Sequence, residues 1–289
     1  PIAVAKAFET PTEEIVAFSA ACELLHNATL VHDDLQDGDE TRRGEVAVWK
    51  KFGAEHAVNL GDAMFYWPIL CLDRLDCPDA RYRSLLRRFL RRTLDVIDGQ
   101  EREFQLKRNQ APTSEDYFQM VSGKTGGLLM LTMSGAGQLS GASDEVVEAL
   151  QQAGAHLGVL FQVQDDVLDL YGDKGREHRG ADICEGKMSA LVVHFLEHTS
   201  QERRSWLREI LEADRDDVSL EQIDRVAEAF RTEGALEAAL DEIERRRELA
   251  VEMPEFDEHP KVRSVIDGLA ELFVAPIDHV LAERASTDD

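Results

Sequence analysis

The sequence predicts an all-α fold, one helical domain over residues 1–289 built around a central cavity, and three observations predict it. Apolar residues recur at three and four positions along nearly every stretch, whereas the alternation of a half-buried strand is almost absent. Glycine and proline fall between the periodic stretches and mark their ends. Two Asp-Asp-x-x-Asp sets, Asp33, Asp34, Asp37 and Asp165, Asp166, Asp169, lie in apolar helical surroundings rather than in a solvated charge run.

In chain order, Thr10-Pro11 followed by Glu13 and Glu14 reads as a capped helix start. Ile15, Val16, Phe18, Leu24, Leu25, Ala28 and Val31 carry that helix to the first aspartates, where it ends. A polar connection through Gly38, Asp39 and Gly44 leads to a helix over residues 55–75, closed by Cys77-Pro78. Residues 81–105 form a long helix with Leu85, Leu86, Phe89, Leu94, Ile97 and Phe104 at helical spacing, its arginines a solvated face. After the Pro112 turn come helices over 114–121 and 128–139, joined by Gly123-Lys124-Thr125-Gly126-Gly127. Ser143 caps the helix that carries the second aspartate set to Gly172, and 172–186 is a polar loop. Residues 188–281 give amphipathic helices broken by Pro254, Pro260 and Pro276.

With 43% hydrophobic residues, the chain can bury a sizeable core. Its 57 acidic residues against 32 basic ones give a net charge of -25, which argues against nucleic acid or an anionic membrane as partner. Any phosphate must therefore be held locally. The four cysteines, Cys22, Cys71, Cys77 and Cys184, show no CxxC spacing, which points to reduced thiols and a cytoplasmic location. Charges interrupt every segment and the mean hydropathy is -0.32, so no run of bilayer length and no stable membrane insertion are expected.

The aspartate sets carry the chemistry. On a helix, Asp33 and Asp37 stand one turn apart on one face, where two carboxylates can share a hard divalent cation. Oxygen ligands with open positions suit Mg2+, which takes its remaining ligands from water and substrate phosphates. Acids at this spacing arise by chance roughly two or three times in so acidic a chain. Asp144, Glu145 and Glu148 are such a case, at a helix start; the strict all-aspartate form occurs only at the two sets above. Arg42, Arg43, Lys124 and Lys187 supply cations that could grip a diphosphate and stabilise departing pyrophosphate. One turn before the first aspartates, Ala28 and Thr29 are small, leaving room for an elongated apolar ligand in a dry cavity where a carbocation survives.

The ordered set His26, HDDLQD, TRRG at Arg42-Arg43-Gly44, NLGDA at Gly61-Asp62, Gly99-Gln100, GKTGG, FQVQDDVLD and ADICEGK ending at Lys187 resembles the trans-isoprenyl diphosphate synthases over nearly the whole chain. That resemblance implies an isoprenoid synthase-type helical bundle that condenses isopentenyl diphosphate with an allylic diphosphate through an allylic carbocation. It implies that Asp33, Asp37 and Asp165 hold three Mg2+ ions, with Asp34, Asp166 and Asp169 supporting them directly or through waters. Arg42, Lys124 and Lys187 would grip the allylic diphosphate, while His26 and Arg43 would face isopentenyl diphosphate. The Thr125 hydroxyl and the Gln162 side chain would stabilise the cation. Homodimerisation is a further implication.

The sequence departs from the family pattern in three places. A Gly-Lys-x-x-Arg-Pro element is expected ahead of the first helix, and Pro1 matches its last residue. A lysine expected four or five residues before Asp182 is replaced by His178 or Glu177, with Lys174, Arg176 and Arg179 as substitutes. Ser189-Ala190 stands where Thr and a following Leu-Pro are usual.

Farnesyl-making members tend to place aromatics where Ala28 and Thr29 stand here, so the resemblance implies a tunnel open past fifteen carbons. Phe65, Tyr66 and Trp67 on the neighbouring helix are expected to form a lower floor, and the expected product is geranylgeranyl diphosphate. Farnesyl diphosphate or a longer product is the alternative. More remote are a terpene cyclase or head-to-head synthase, for which the ordered RRG, KTGG and EGK set is not expected, and a non-catalytic partner subunit, for which a lost carboxylate would be.

Overall fold

The structure, a computed structural model, describes residues 1–172 and 179–287. Lys174, Arg176, Glu177 and His178 lie outside the described residues. The chain gathers into two compact units, one of Pro1–Thr93 with Met130–Gln151, the other of Leu94–Leu129 with Gln152–Asp289.

The first unit opens with a short helix missed in the sequence, α1 (Ile2–Ala7), and then α2 (Thr12–Asp37). No side chain caps α2 at its N-cap Pro11, but Glu13 and Glu14 in the first turn favour the helix dipole. At the other end Gly38 takes the left-handed conformation, φ 74°, and its N–H bonds the Asp34 carbonyl. The polar connection is not a loop throughout. Thr41–Arg42 (β1) pairs with Glu45–Val46 (β2), and Arg43 (φ 54°) and Gly44 (φ 80°) make the two-residue turn whose positive φ values match the twist of a hairpin.

Helices α3 (Val48–Phe52) and α4 (Ala54–Leu72) follow, and both pack on α2. Ile15, Phe18, Ala21, Leu25 and Ala28 of α2 are fully buried, as are Ala57 and Leu72 of α4. By length and composition α2 is apolar enough to cross a membrane, which corrects the expectation that no run has that character. Its buried face reads as the core of a folded unit.

Helices α5 (Asp79–Arg108), α7 (Gly126–Leu139) and α8 (Asp144–Tyr171) each contribute residues to both units. In the first unit Gly135 of α7 lies under the Phe18 ring, where an added Cβ would meet Phe18 Cε2 at 2.9 Å. The arginines of α5 are not simply a solvated face. Arg81 Nη1 donates to the Leu139 carbonyl at 3.1 Å, and Arg88 donates to Gln138 Oε1 at 3.1 Å and Gln151 Oε1 at 2.8 Å.

The second unit is built around α10 (Ala190–His198), whose Leu191, Val192, Val193, Phe195 and Leu196 are all buried. It packs against α6 (Ser114–Lys124), α11 (Gln201–Leu211), α12 (Leu220–Thr232) and α13 (Ala235–Val251). A capping box between Thr113 and Asp116 starts α6, and Ser189 caps α10, so the serine hydroxyl at the altered position has a structural task. The predicted loop before Lys187 contains a turn of helix, α9 (Ala181–Cys184). Helices α14 (Pro260–Val274) and α15 (Asp278–Thr287) complete the unit.

Candidate active site

In the first unit the candidate residues gather at the end of α2. Asp33 is half-buried and Asp37 exposed, one turn apart on the same face. Asp34 points elsewhere: it is 4% exposed and accepts from Arg42 Nε at 2.7 Å, while Arg42 Nη2 also reaches Asp39. The hairpin thus ties Arg42 to the middle aspartate, leaving the outer two as the accessible pair. Arg43, at the hairpin tip, is exposed. His26 is half-buried, and burial, with the Arg43 and Arg42 guanidiniums adding to it against Glu23, holds its pKa below the usual histidine range. It is a neutral donor or acceptor rather than a cation.

The ring of His32, next to Asp33, fits over Gly61 of α4, where an added Cβ would overlap it. His32 Nε2 is 3.4 Å from the Val58 carbonyl and 3.6 Å from Asp62 Oδ1, and the ring lies 5.5 Å from that of Phe65. Phe65 therefore turns toward α2. Tyr66 is 69% exposed and Trp67 43%, so neither forms a floor beneath α2, contrary to the expectation for these two. Ala28 is fully buried, whereas Thr29 is half-buried with its hydroxyl on the His26 carbonyl at 2.7 Å.

In the second unit, glycines hold the Lys124-Thr125 turn between α6 and α7 against its neighbours. An added Cβ on Gly99 of α5 would overlap the Lys124 backbone nitrogen and lie 2.7 Å from its Cα. On Gly158 of α8 it would lie 2.8 Å from Gly126 N. Only glycine permits these approaches, which fix where Lys124 and Thr125 project. Lys124 Nζ is paired with Glu103 of α5, and Thr125 Oγ1 donates to Gln162 Oε1 at 3.0 Å.

The second aspartate set divides differently from the first, with one accessible carboxylate instead of two. Asp165 is half-buried, whereas Asp166 and Asp169 are buried and engaged. Asp166 Oδ1 accepts from Gln162 Nε2, and Oδ2 accepts from the Tyr117 hydroxyl and the Ala190 N–H. Asp169 Oδ2 accepts from the Asp182 N–H at 3.1 Å. Burial pushes the Asp166 carboxyl up to about 6 against the opposing pull of Lys187. Lys187 Nζ reaches Asp182 Oδ1 at 3.3 Å; burial works against its charge, yet Asp182, Asp166, Glu103 and Asp165 together hold its pKa well above the usual value.

Glu103, Tyr117 and Asp182 belong to this cluster, and the sequence assigned none of them a role, although Asp182 stands in the ADICEGK run. Signals existed for the other two as well. Glu103 lies one turn after Gly99 on α5, and Tyr117 lies seven residues before Lys124, two turns back on the same face of α6. Gln100 carries an amide whose buried oxygen and nitrogen have no hydrogen-bond partner, and Asp182 Oδ2 is likewise buried and unpaired. Buried polar atoms of this kind call for a partner.

Residues 2–230 match the family described as Polyprenyl synthetase. The chain belongs to that family. It is 34% identical over 201 residues to the short chain isoprenyl diphosphate synthase of Methanocaldococcus jannaschii, an alignment covering 69% of this chain and 61% of that protein. Over 198 residues it is 32% identical to the geranylgeranyl diphosphate synthase of Methanosarcina mazei, covering 68% of this chain and 61% of the relative. The match thus spans about three fifths of each relative's length. The crystal structure of geranylgeranyl pyrophosphate synthetase from Pyrococcus horikoshii Ot3 superposes with a TM-score of 0.84 at 27% identity, covering 95% of this chain and 84% of the other, and bears out the all-α fold.

Proposed function

We propose that the protein is a magnesium-dependent prenyltransferase that condenses isopentenyl diphosphate with an allylic diphosphate, with geranylgeranyl diphosphate (C20) as main product. The observation that carries the reading is the second-unit cluster. Two lysines, Lys124 and Lys187, sit among carboxylates beside a hydroxyl and an amide, Thr125 and Gln162, held by close glycine contacts. Cations beside an amide oxygen and a hydroxyl suit a leaving diphosphate and the carbon it leaves. The named relatives support the reaction class and the C20 product.

Mg2+ suits the chemistry of the candidate donors: Asp33 and Asp37 in the first unit and Asp165 in the second are carboxylates that are not fully buried. Such oxygens favour a hard cation that completes its shell with water and substrate phosphate. The buried, unpaired Asp182 Oδ2 offers a further oxygen for a bound water. When bound, Mg2+ neutralises charge on the departing diphosphate.

In the proposed reaction the allylic C1–O bond breaks with its electron pair going to the diphosphate oxygen. The isopentenyl double bond attacks C1 through C4, and a proton leaves C2 of the added unit for the released pyrophosphate. Lys124 and Lys187 bind the allylic diphosphate; Arg42, which the family resemblance also assigns to it, uses Nε and Nη2 on Asp34 and Asp39 and keeps further N–H groups for phosphate. Arg43 and neutral His26 bind isopentenyl diphosphate. Thr125 and Gln162 place oxygen beside C1.

A second copy of the chain is the proposed partner. Leu90, Leu94 and Ile97 recur at helical spacing on α5 and are all exposed, as are Tyr66 and Leu70 on α4. Exposed apolar faces of this kind call for a cover. Sedimentation equilibrium checks it, and a monomer at micromolar concentration counts against it.

The test of function is product chain length. The protein is incubated with Mg2+, radiolabelled isopentenyl diphosphate and, separately, dimethylallyl, geranyl or farnesyl diphosphate, and the dephosphorylated alcohols are resolved. A main C20 alcohol supports the reading. A C15 alcohol favours the second reading, in which Phe65, packed on His32 beside Asp33, limits the chain. No elongation from any primer overturns both.

A further inference from the structure

Among the described residues, the hydrogen bonds around Asp166 form a connected set that includes the half-buried amide of Gln162. The Tyr117 hydroxyl donates to Asp166 Oδ2 at 2.6 Å and the Ala190 N–H to the same oxygen at 2.7 Å. Gln162 Nε2 donates to Asp166 Oδ1 at 3.1 Å, and Thr125 Oγ1 donates to Gln162 Oε1 at 3.0 Å. Tyr117 is 2% exposed and Asp166 1%, so neither is placed to meet a ligand itself.

A glutamine amide can present either its oxygen or its NH2 to a ligand, with dipoles of opposite sense. An ionised carboxylate only accepts, so Asp166 takes the NH2 end and turns the oxygen toward Thr125. Tyr117 and Ala190 both occupy Oδ2, which fixes the carboxylate plane and leaves Oδ1 for Gln162. A phenylalanine would fill the same buried space. The hydroxyl earns its burial only through the bond to Asp166.

We propose that Tyr117 is a positioning residue for prenyl transfer, acting through Asp166 to hold the Gln162 amide with its oxygen toward Thr125. The inference deepens the function proposed above and rests on it. A cation growing at the allylic C1 is stabilised by an amide oxygen and destabilised by an amide NH2, so the orientation of one side chain enters the rate of ionisation. Diphosphate binding by Lys124 and Lys187 does not depend on that orientation.

The test is a double-mutant cycle on the full chain with Mg2+, geranyl diphosphate and isopentenyl diphosphate, with melting temperature followed alongside. Tyr117→Phe is expected to lower kcat by roughly ten- to a hundred-fold, the loss of one hydrogen bond to a charged group, while KM for both substrates stays within about two-fold. Gln162→Leu removes the amide, and in that background Tyr117→Phe is expected to change kcat no further. A purely structural role for Tyr117 predicts instead that the two losses multiply, or that Tyr117→Phe acts on KM; either result overturns the proposal. Should Tyr117→Phe not fold, Asp166→Asn replaces it. An asparagine there can donate to the Gln162 oxygen and reverse the amide, and the same cycle with Gln162→Leu applies. A wild-type protein that does not elongate sinks the proposed function and this role with it, whereas an active wild type with multiplying losses sinks this role alone.

Discussion

The sharpest consequence of the packing concerns Gly99. Its replacement by alanine would set a Cβ on the Lys124 backbone nitrogen, 2.7 Å from the Lys124 Cα and 2.8 Å from the Gly123 carbonyl carbon, where ordinary contact begins at 3.4 Å. All three neighbours are backbone, so no side chain can swing aside, and α5 must part from the Lys124-Thr125 turn by roughly 0.7 Å or more. Overpacking of this kind costs about 1–3 kcal/mol, a fall of several degrees in Tm for a chain of this size. The larger effect is expected on catalysis. The shift moves Lys124 off Glu103 and Thr125 off Gln162, and a misplacement near 1 Å costs about a hundred-fold in rate. The assay is steady-state condensation of isopentenyl and geranyl diphosphates, with differential scanning calorimetry beside it. Gly268→Ala on α14 is the control: an added Cβ there meets nothing within 4 Å, so it should be neutral or stabilise by up to about 1 kcal/mol with activity intact. If Gly99→Ala keeps kcat/KM within about two-fold of the wild type and loses no stability, the close approach does not position the turn and the reasoning fails.

Three further outcomes are expected. Thr29→Phe, at a half-buried position, should shorten the main product by at least one isoprene unit with little change in Tm, whereas Ala28→Phe, at a fully buried one, should lower Tm by several degrees; product chromatography and melting curves separate the two. His156 accepts from Arg246 at 3.2 Å, and burial with the Arg246 and Arg245 charges lowers its pKa from 6.5 to about 4. A histidine kept neutral in the fold contributes stability that is present above pH 6.5 and lost as pH falls toward 4, so His156→Gln should flatten the acid limb of a Tm-against-pH curve in that window; an unchanged limb refutes the assignment. The net charge of -25 should make the fold sensitive to salt. Raising KCl from about 0.05 to about 1 M should raise Tm by screening that self-repulsion, and a flat or falling Tm counts against it.

The sequence by itself determined the helical class, nearly all the long helices and the two aspartate sets, because those rest on local period and spacing. It also marked the GKTGG turn and Gly99 as one ordered set. It did not reveal the division of labour within each aspartate set. Asp33, Asp34 and Asp37 look alike in the chain, yet a hairpin whose tip holds Arg43 at positive φ delivers Arg42 to Asp34, and that depends on backbone geometry no period encodes. In the same way Asp166 became a buried hub only when Tyr117 from α6 and the first N–H of α10 met it, over separations of 49 and 24 residues. Phe65, Tyr66 and Trp67 are consecutive aromatics, and only the rotation of α4 against α2 decided that Phe65 packs on His32 while the other two face outward. Local pattern sets which residues share a helix face. Which face meets which partner is fixed by packing between helices distant in the chain, and there the roles of individual carboxylates and aromatics were settled.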